Sequence, residues 1–350
     1  MKIVKAKKAK AKPQGALGFG KYFTDYMLTM EYADGRWGEP QIVPYSPFLL
    51  EPSTSVFHYG QAIFEGLKAY KDADGGVRLF RPMDNLARMN NSGDRMCIPP
   101  IDTDAVYGAL VELIKLEAGW IPDEQGTSLY IRPSIIALDN TLGVHAAAKY
   151  LFFVILSPVA AYYAAGFNPI KLYVEQKYTR AAAGGTGSHK VIGNYAASIK
   201  AAALAAQKGY AQVMWLDAKE RRYIEEIGSM NIFFVMNGAL VTPALTGSIL
   251  PGITRLSVME LARAKGMEVI ERDITIDEVV AGIKSGACTE IFGTGTAVVI
   301  SPVGALYYNE EEIAVGDGST GRLSSEFFDE LTGIQTGRVE DKFGWSKRII

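Results

Sequence analysis

The chain has 350 residues, of which 48% are hydrophobic and 21% carry a charge, and its formal net charge is −2. A charge balance this close to neutral provides no extended positive surface, so neither nucleic acid nor a membrane is expected as a partner. The length exceeds that of a usual single core, which indicates two domains.

Cysteine and histidine usage argues against a disulfide framework or a metal site. Cys97 and Cys288 lie far apart in the sequence, and the three histidines do not form an HExxH motif. Two unpaired thiols are typical of a reducing compartment, so we expect a cytoplasmic location. The first twelve residues contain six lysines and no acid, which predicts a solvated tail.

Hydrophobic patterns in the first part of the chain predict a small N-terminal α/β domain over residues 1–156. Alternating apolar residues indicate strands, and apolar residues at helical spacing indicate helices. The predicted strands cover residues 23–32, 62–70, 77–80, 128–138 and 150–156, and the predicted helices cover 84–96 and 104–118.

Residues 157–169 contain prolines, alanines and Gly166, and we interpret them as the connection between domains. Residues 170–350 then form the predicted larger domain. Asn237-Gly238 predicts a hairpin, Asn194 a helix N-cap, and Asp277 a second cap. The predicted strands cover 170–176, 212–217, 231–236, 239–242, 267–272, 290–292 and 297–301, and the predicted helices cover 195–208, 253–265 and 277–284.

Lys190 follows a run of small residues, RAAAGGTGSH, that would let a flat ligand approach its amine closely. A lysine in such a setting loses water and becomes available for Schiff-base chemistry. A lone lysine is more often a solvated surface residue, and the glycines also suggest a phosphate loop. The spacing departs from the nucleotide-binding pattern, because His189 precedes the lysine and Val191 follows it.

Three further features suit a cofactor that carries a ring and a phosphate. Glu226 precedes an apolar segment and could pair with a protonated ring nitrogen, although a solvated acid is the commoner interpretation. Ile253 and Thr254 open a helix whose N–H groups suit a phosphate, and the fork of Arg88 suits one too. The glycine-rich loop 293–297 could hold a carboxylate or could be a plain turn.

Taken together, these segments resemble the branched-chain amino acid aminotransferases, which are enzymes of fold type IV that depend on pyridoxal 5'-phosphate (PLP). The resemblance extends over nearly the whole chain. The motifs that carry it occur in the family's order: FGKYFTDYML, VFHYGQAIFEGLKAY, LFRPMDNLARM, LYIRP, HKVIGNY, EEIGSMNIFF, ILPGITR and IFGTGTAVV.

The resemblance implies a mixed α/β (α+β) fold of two domains, the larger with a β-barrel-like core. It implies that Lys190 forms a Schiff base with PLP. The other residues that it implies for cofactor binding are Arg88, Tyr195, Glu226, Ile253, Thr254 and Thr296. The residues that it implies for substrate binding are Phe19, Tyr59, Phe64, Tyr130, Arg132, Tyr162, Ser229, Thr296 and Ala297, with Leu142 and Val144 on a loop that reaches the partner subunit's site.

The implied reaction is reversible amino transfer between L-leucine, L-isoleucine or L-valine and 2-oxoglutarate, by a homodimer. Val298 and Ser301 replace a redox pair of cysteines found in animal members, so thiol-based regulation is not expected. D-amino acid aminotransferase and aminodeoxychorismate lyase remain alternatives within the fold. Outside it, a nucleotide-binding regulatory protein that uses residues 184–187 remains open, as does, less favoured, a non-catalytic interaction protein.

Overall fold

The computed structural model describes residues 1–160 and 167–350. Contacts between these residues divide the chain into two compact units. The first lies within Met1–Ala164, Lys190–Ile192 and Gly333–Ile350, and the second lies within Ala165–His189 and Gly193–Thr332. Each unit contains its own β-sheet with helices, which confirms the mixed α/β class.

The elements up to Val159 belong to the first unit. They are, in chain order, β1 Lys2–Ile3, β2 Tyr26–Ala33, β3 Arg36–Trp37, β4 Gln41–Pro44, α1 Val56–Tyr59, β5 Ala62–Phe64, β6 Leu67–Lys71, β7 Val77–Phe80, α2 Pro82–Arg95, α3 Thr103–Leu116, a 3-10 turn at Ala118–Trp120, β8 Ser128–Ala137 and β9 Tyr150–Val159.

The remaining elements lie mostly in the second unit. They are β10 Ile170–Glu175, α4 Ile192–Gln207, β11 Gln212–Leu216, β12 Ile224–Ile227, β13 Asn231–Met236, β14 Ala239–Pro243, α5 Ile253–Ala264, β15 Val269–Arg272, α6 Ile276–Ser285, β16 Cys288–Gly295, β17 Val299–Tyr308, β18 Glu311–Ala314, α7 Arg322–Thr336 and, in the first unit, β19 Ser346–Arg348.

Strand order brings residues that are distant in the sequence side by side. The first sheet runs β1-β4-β2-β9-β8-β6-β7-β19, with β3 on β2 and β5 on β8. The second sheet runs β12-β11-β10-β17-β16-β13-β14-β15, with β18 on β17. The last strand of the chain therefore closes one edge of the first sheet. None of the helices described is both long enough and apolar enough to cross a bilayer.

The two faces of the first sheet differ sharply in chemistry because side chains alternate along each strand. Leu67 lies opposite Ile131, which lies opposite Leu156, and all three belong to the hydrophobic core beneath α2 and α3. The neighbouring row, on the other face, is Lys68 opposite Tyr130 and Tyr130 opposite Ser157. We call this second face, formed by the side chains of Lys68, Ser128, Tyr130, Arg132 and Ser157, the polar face.

Several predicted boundaries are corrected by the structure. The strand expected over 62–70 is two strands, because the chain breaks at Glu65-Gly66. Helix α4 begins at Ile192, so Asn194 lies inside it and is not the N-cap. The cap of α6 is Thr275, whose hydroxyl accepts a hydrogen bond from the Glu278 N–H. Threonine is a favoured N-cap residue, so the position of Thr275 just before the apolar pattern was a usable signal for this cap.

A buried acid ties α3 to the first sheet. Glu117 is 2% exposed, and its carboxylate accepts a hydrogen bond from the Tyr26 N–H. Burial raises the pKa of Glu117 to about 7, partly offset by that hydrogen bond and reinforced by the nearby Asp25 charge. The folded chain therefore holds this proton more tightly than the unfolded chain does.

This raised pKa predicts a pH-dependent contribution to stability. The contribution is present below the ordinary pKa of 4.5 and is lost as the pH rises through about 7. Relative to Glu117→Gln, which mimics the protonated acid, the wild-type free energy of unfolding should fall by more than about 1 kcal/mol across that window. Denaturant titrations at several pH values measure it. Glu112→Gln, at an exposed position on α3, is the matched control, and parallel curves for wild type and Glu117→Gln would contradict the assignment.

Candidate active site

The polar face of the first unit brings four predicted residues together. Arg132 donates from Nη2 to the Tyr130 hydroxyl at 3.0 Å, and its guanidinium carbon lies 4.6 Å from the Phe64 ring centroid. Phe19 packs edge-on against the Tyr130 ring at 4.9 Å between centroids. A guanidinium framed by aromatic rings can bind a carboxylate and also offer apolar walls.

Lys190 is anchored through its backbone beside the same phenylalanine. Its N–H donates to the Ser92 hydroxyl at 2.9 Å, and its carbonyl accepts from the Phe64 N–H at 3.1 Å. The Nζ atom lies 4.6 Å from the Phe64 ring centroid. The backbone hydrogen bonds restrict where the amine can reach, which suits a reactive group that must meet one atom of a ligand.

Room for the Tyr130 hydroxyl depends on a missing side chain. A Cβ atom at Gly66 would overlap that hydroxyl and would lie 3.0 Å from Tyr130 Cζ. The break between β5 and β6 therefore places a glycine beside the Tyr130 phenol, which leaves space for the hydroxyl that accepts from Arg132. Gly66 lies within the motif VFHYGQAIFEGLKAY, but the motif alone predicts no role for it.

Arg88 forms a buried ion pair within the first unit. Its Nε donates to Glu65 Oε1 at 2.7 Å and its Nη2 to Glu65 Oε2 at 2.9 Å. Glu65 is fully buried, which fixes the direction of the fork. A guanidinium has five N–H donors, so the pair leaves capacity for further acceptors. The expected contact of Arg88 with a phosphate stays a prediction.

Tyr59 and the loop 142–144 lie together at the surface of the first unit. The Tyr59 hydroxyl donates to the Leu142 carbonyl. The side chains of Leu142 and Val144 are 67% and 82% exposed. The loop therefore exposes two large apolar side chains close together.

The second unit contains a small pocket lined by three of the predicted residues. Tyr195 on α4, Glu226 on β12 and Ser229 in the turn after β12 all face it, as do Arg180 and His189. Glu226 lies within strand β12, whereas its place before an apolar segment predicted a position just before a strand. A phenol and a buried carboxylate on one small pocket suit a polar aromatic ring.

The Glu226 carboxylate is held from three sides. Arg180 Nε lies 2.9 Å from Oε2, and Oε1 accepts from the Leu250 N–H at 2.8 Å and from Asn231 Nδ2 at 3.3 Å. Glu226 is only 2% exposed. A buried carboxylate is tolerated when a cation and N–H donors surround it, so the group has a defined position and partner. Arg180 and Asn231 were not assigned roles from the sequence.

Arg180 and Asn194 also fix the loop that precedes Lys190 in the chain. Arg180 Nη2 donates to the carbonyls of Gly187 at 3.1 Å and Ser248 at 2.7 Å. Asn194 Nδ2 donates to the carbonyls of Thr186 and His189, both at 2.8 Å. The residue predicted as an N-cap therefore closes the loop instead.

The neighbouring acid, Glu225, has a different environment. Burial raises its pKa, which the Ser248 hydroxyl bond and the Arg180 charge partly offset. The two adjacent acids on β12 share the Arg180 charge but have different hydrogen-bond partners, and of the two only Glu226 lines the pocket.

The predicted phosphate-binding turn opens α5. Ile253 and Thr254 are buried at 8% and 6% exposure, and Gly252 precedes them as N-cap. A Cβ atom at Gly252 would overlap Asn231 Oδ1, so the turn is packed against the Glu226 network. The contact of this turn with a phosphate stays a prediction.

Thr296 and Ala297 occupy the turn between β16 and β17 and are half-buried. Val299, just after them, has a φ of 63°, which a β-branched residue rarely adopts. Such strain is concentrated at ligand-binding loops, so it agrees with the predicted role of this turn. Tyr162 lies outside the residues that the structure describes.

Comparisons with known proteins decide the family. The model of the amino-transferase class IV family matches residues 62–306. Branched-chain-amino-acid transaminase 1 of Bacillus subtilis (strain 168) is 53% identical over 343 residues, which cover 97% of this chain and 96% of that protein. The chain belongs to the class IV aminotransferases.

Solved structures of branched-chain amino acid aminotransferases match the fold. The crystal structure of the Escherichia coli enzyme has a TM-score of 0.78 and 29% identity, covering 93% of this chain and 99% of that one. The crystal structure of the Thermobaculum terrenum enzyme in its PLP form has a TM-score of 0.74 and 24% identity, covering 93% and 98%. The resemblance identified from the sequence motifs is confirmed.

The Gly66 contact predicts a measurable coupling with Tyr130. Gly66→Ala should lower the free energy of unfolding by about 1–3 kcal/mol, because the new methyl group displaces the phenol. Tyr130→Phe removes the overlapping hydroxyl and should restore part of that loss, which a double-mutant cycle measures.

The control is Gly108→Ala on α3, where a Cβ atom meets nothing within 4 Å. In that helix the substitution should be neutral or stabilising by about 0.5–1 kcal/mol. Strictly additive effects of Gly66→Ala and Tyr130→Phe would show that the predicted overlap is absent.

Proposed function

We propose that the protein is a PLP-dependent branched-chain amino acid aminotransferase. It would transfer amino groups reversibly between L-leucine, L-isoleucine or L-valine and 2-oxoglutarate. The observation that carries the proposal is the pocket shared by Tyr195 and the buried Glu226. The 53% identity to the Bacillus subtilis transaminase over almost the full chain supports the same activity.

The residues present fit the cofactor. A pyridine ring needs a fixed acidic partner for its nitrogen and a donor for its ring oxygen, and Glu226 and Tyr195 supply these on one pocket. Its phosphate needs N–H donors, which a helix N-terminus such as Ile253 and Thr254 offers, with Thr296 and Arg88 as further candidates. Lys190 supplies the amine for covalent attachment.

When bound, PLP supplies an aldehyde for amine exchange and an electron sink for the substrate's α-carbon. The side chains of the protein would supply the acid–base groups and the binding contacts. Glu226 would hold the proton on the ring nitrogen, and the Arg180 guanidinium, whose Nε lies 2.9 Å from Oε2, fixes the position of the carboxylate. Lys190 Nζ would take the proton from the substrate Cα as a base and would then deliver it, as an acid, to the aldehyde-derived carbon of the cofactor.

Two kinds of substrate side chain have to be accepted in turn. Phe19 and Phe64, with Tyr162, are proposed as apolar walls for leucine, isoleucine and valine. Arg132, oriented by Tyr130, is proposed to bind the distal carboxylate of glutamate, with Tyr59 as its helper. Ser229 and Ala297 complete the proposed substrate contacts.

A homodimer in the cytoplasm is proposed as the working form. The exposed side chains of Leu142 and Val144 support a subunit interface at this loop. In the proposed dimer these residues reach the partner subunit's site. The free thiols Cys97 and Cys288 agree with a reducing compartment.

The role of Lys190 is tested by Lys190→Ala. Amino transfer from L-leucine to 2-oxoglutarate should fall by at least about 10²–10⁴-fold, because base and attachment point are both lost. Lys200→Ala, at an exposed position on α4, is the control and should retain wild-type rates.

D-leucine used as fast as L-leucine would favour a D-amino acid aminotransferase instead.

The role of Arg132 is tested by Arg132→Ala with the two donor substrates. Loss of a buried charge partner typically costs about 2–5 kcal/mol, so kcat/KM for glutamate should fall at least about 30-fold. The value for leucine should change far less. Equal losses for both donors would remove Arg132 from carboxylate recognition.

A further inference from the structure

We propose that Lys10 is a positioning residue, which holds the segment 18–25 in place and thereby fixes Phe19 in the proposed substrate site. The inference rests on the proposed function and deepens it, since Phe19 is one of the proposed apolar walls. Lys10 lies outside every motif that carries the family resemblance, and its composition predicted only a solvated tail.

The lysine-rich tail is bound to the first unit. Strand β1 pairs in parallel with β4, where Ile3 lies opposite Ile42. Farther along the tail, the Ala6 N–H donates to the Tyr26 hydroxyl at 3.0 Å. The prediction of a solvated tail is therefore wrong for these backbone groups, although the six lysines are exposed residues.

Lys10 makes both hydrogen bonds and a cation–π contact. Its N–H donates to Asp25 Oδ1 at 2.6 Å. Its amine donates to the carbonyls of Thr24 at 2.6 Å and Phe23 at 3.3 Å. The amine also lies 3.9 Å from the centroid of the Tyr45 ring, on which the Phe23 ring stacks. Hydrogen bonds from an ammonium group are stronger than those from a neutral donor, so Lys10 restrains the backbone that it contacts.

The backbone around Phe19 depends on contacts of this kind, because no strand or helix contains residues 4–25. Gly18 and Gly20, on either side of Phe19, have left-handed φ values of 62° and 68°. Glycine is conformationally free, so the contacts at the ends of the segment decide where Phe19 lies. In the position observed, its ring packs edge-on against Tyr130.

Backbone hydrogen bonds tie both ends of this segment to the region of β9, and Lys10 reinforces one end. The Gly18 carbonyl accepts from the Ala160 N–H at 3.0 Å. The Thr24 N–H donates to the Leu156 carbonyl at 3.1 Å, while the Thr24 carbonyl accepts from the Lys10 amine. Without the ammonium group this end would be held less firmly, and Phe19 would sample more positions.

Two acids help to place Lys10. Asp25 accepts from the Lys10 N–H through Oδ1 and from the Trp120 indole through Oδ2 at 3.1 Å. Burial lowers the pKa of the Lys10 amine, and the charges of Asp25 and Glu117 partly offset this effect. The tail is thus fixed at a point where the first unit offers both carboxylates and backbone carbonyls to a cation.

The experiment measures how tightly the PLP-loaded enzyme binds 4-methylvalerate, an aliphatic carboxylate with no amino group to transfer. Lys10→Met removes the ammonium group and keeps an unbranched side chain. Calorimetric titration should show binding weakened at least about threefold. Lys10→Arg keeps a cation with several N–H donors and should bind within about twofold of wild type. Lys8→Met, at an exposed position of the same tail, is the control and should bind as wild type does.

A double-mutant cycle tests whether Lys10 acts through Phe19. Phe19→Ala removes the proposed wall, so adding Lys10→Met should cause no further weakening in that background. Hydrogen exchange of the protein without substrate gives a second readout that needs no ligand. Backbone amides of residues 18–24 should exchange at least about threefold faster in Lys10→Met, and at the wild-type rate in Lys8→Met.

Two results would overturn the inference. Equal weakening by Lys10→Met with and without the Phe19 side chain would mean that Lys10 acts through another group. Unchanged binding or unchanged exchange in Lys10→Met would mean that Lys10 does not position the segment. In either case amino transfer from L-leucine by the wild type would leave the proposed function standing. Wild-type enzyme that transfers no amino group would instead defeat the proposed function, and the exchange rates would still test Lys10.

Discussion

The candidate site depends on one buried charge, the carboxylate of Glu226. At 2% exposure this group is stable only because Arg180 lies 2.9 Å away and the Leu250 N–H donates to it. Removing one member of such a pair leaves the other uncompensated, which typically costs about 3–5 kcal/mol. The same arginine binds the carbonyls of Gly187 and Ser248, so the charge and the loop before Lys190 depend on each other.

The first sheet has an apolar face and a polar face because side chains alternate along its strands. Leu67, Ile131 and Leu156 face the core, while the adjacent row of Lys68, Tyr130 and Ser157 forms the polar face. A shift of register by one residue would exchange the two sets, so the core packing that fixes register also fixes the polar face. The core residues therefore control the geometry of the polar face.

Local patterns predicted much of the fold because their signals lie within a few residues. The strand at Val77–Phe80 and the hairpin at Asn237-Gly238 are confirmed, since alternation and turn chemistry are short-range. Long-range pairings had no such signal. The pairing of β19 with β7 joins two strands that are more than 260 residues apart in the sequence, and no local pattern predicts it.

The candidate site likewise contains residues that local motifs predicted and residues that they did not. Lys190, Tyr195 and Glu226 came from motifs that match a family, and the family is confirmed. Arg180, Asn231 and Gly66 act through partners that are distant in the sequence or through absent atoms, so residue type alone did not reveal them. Asn194 was misassigned because an asparagine before an apolar helix is usually a cap, whereas here the loop carbonyls compete for it.

The most direct measurement of the central claim is the protonation state of the cofactor's ring nitrogen. The enzyme would be loaded with ¹⁵N-labelled PLP, and the nitrogen chemical shift would be compared between wild type and Glu226→Gln. A fixed carboxylate at Glu226 predicts a protonated nitrogen in the wild type and a neutral one in the variant. An unprotonated nitrogen in the wild type, or the same shift in both proteins, would contradict the account.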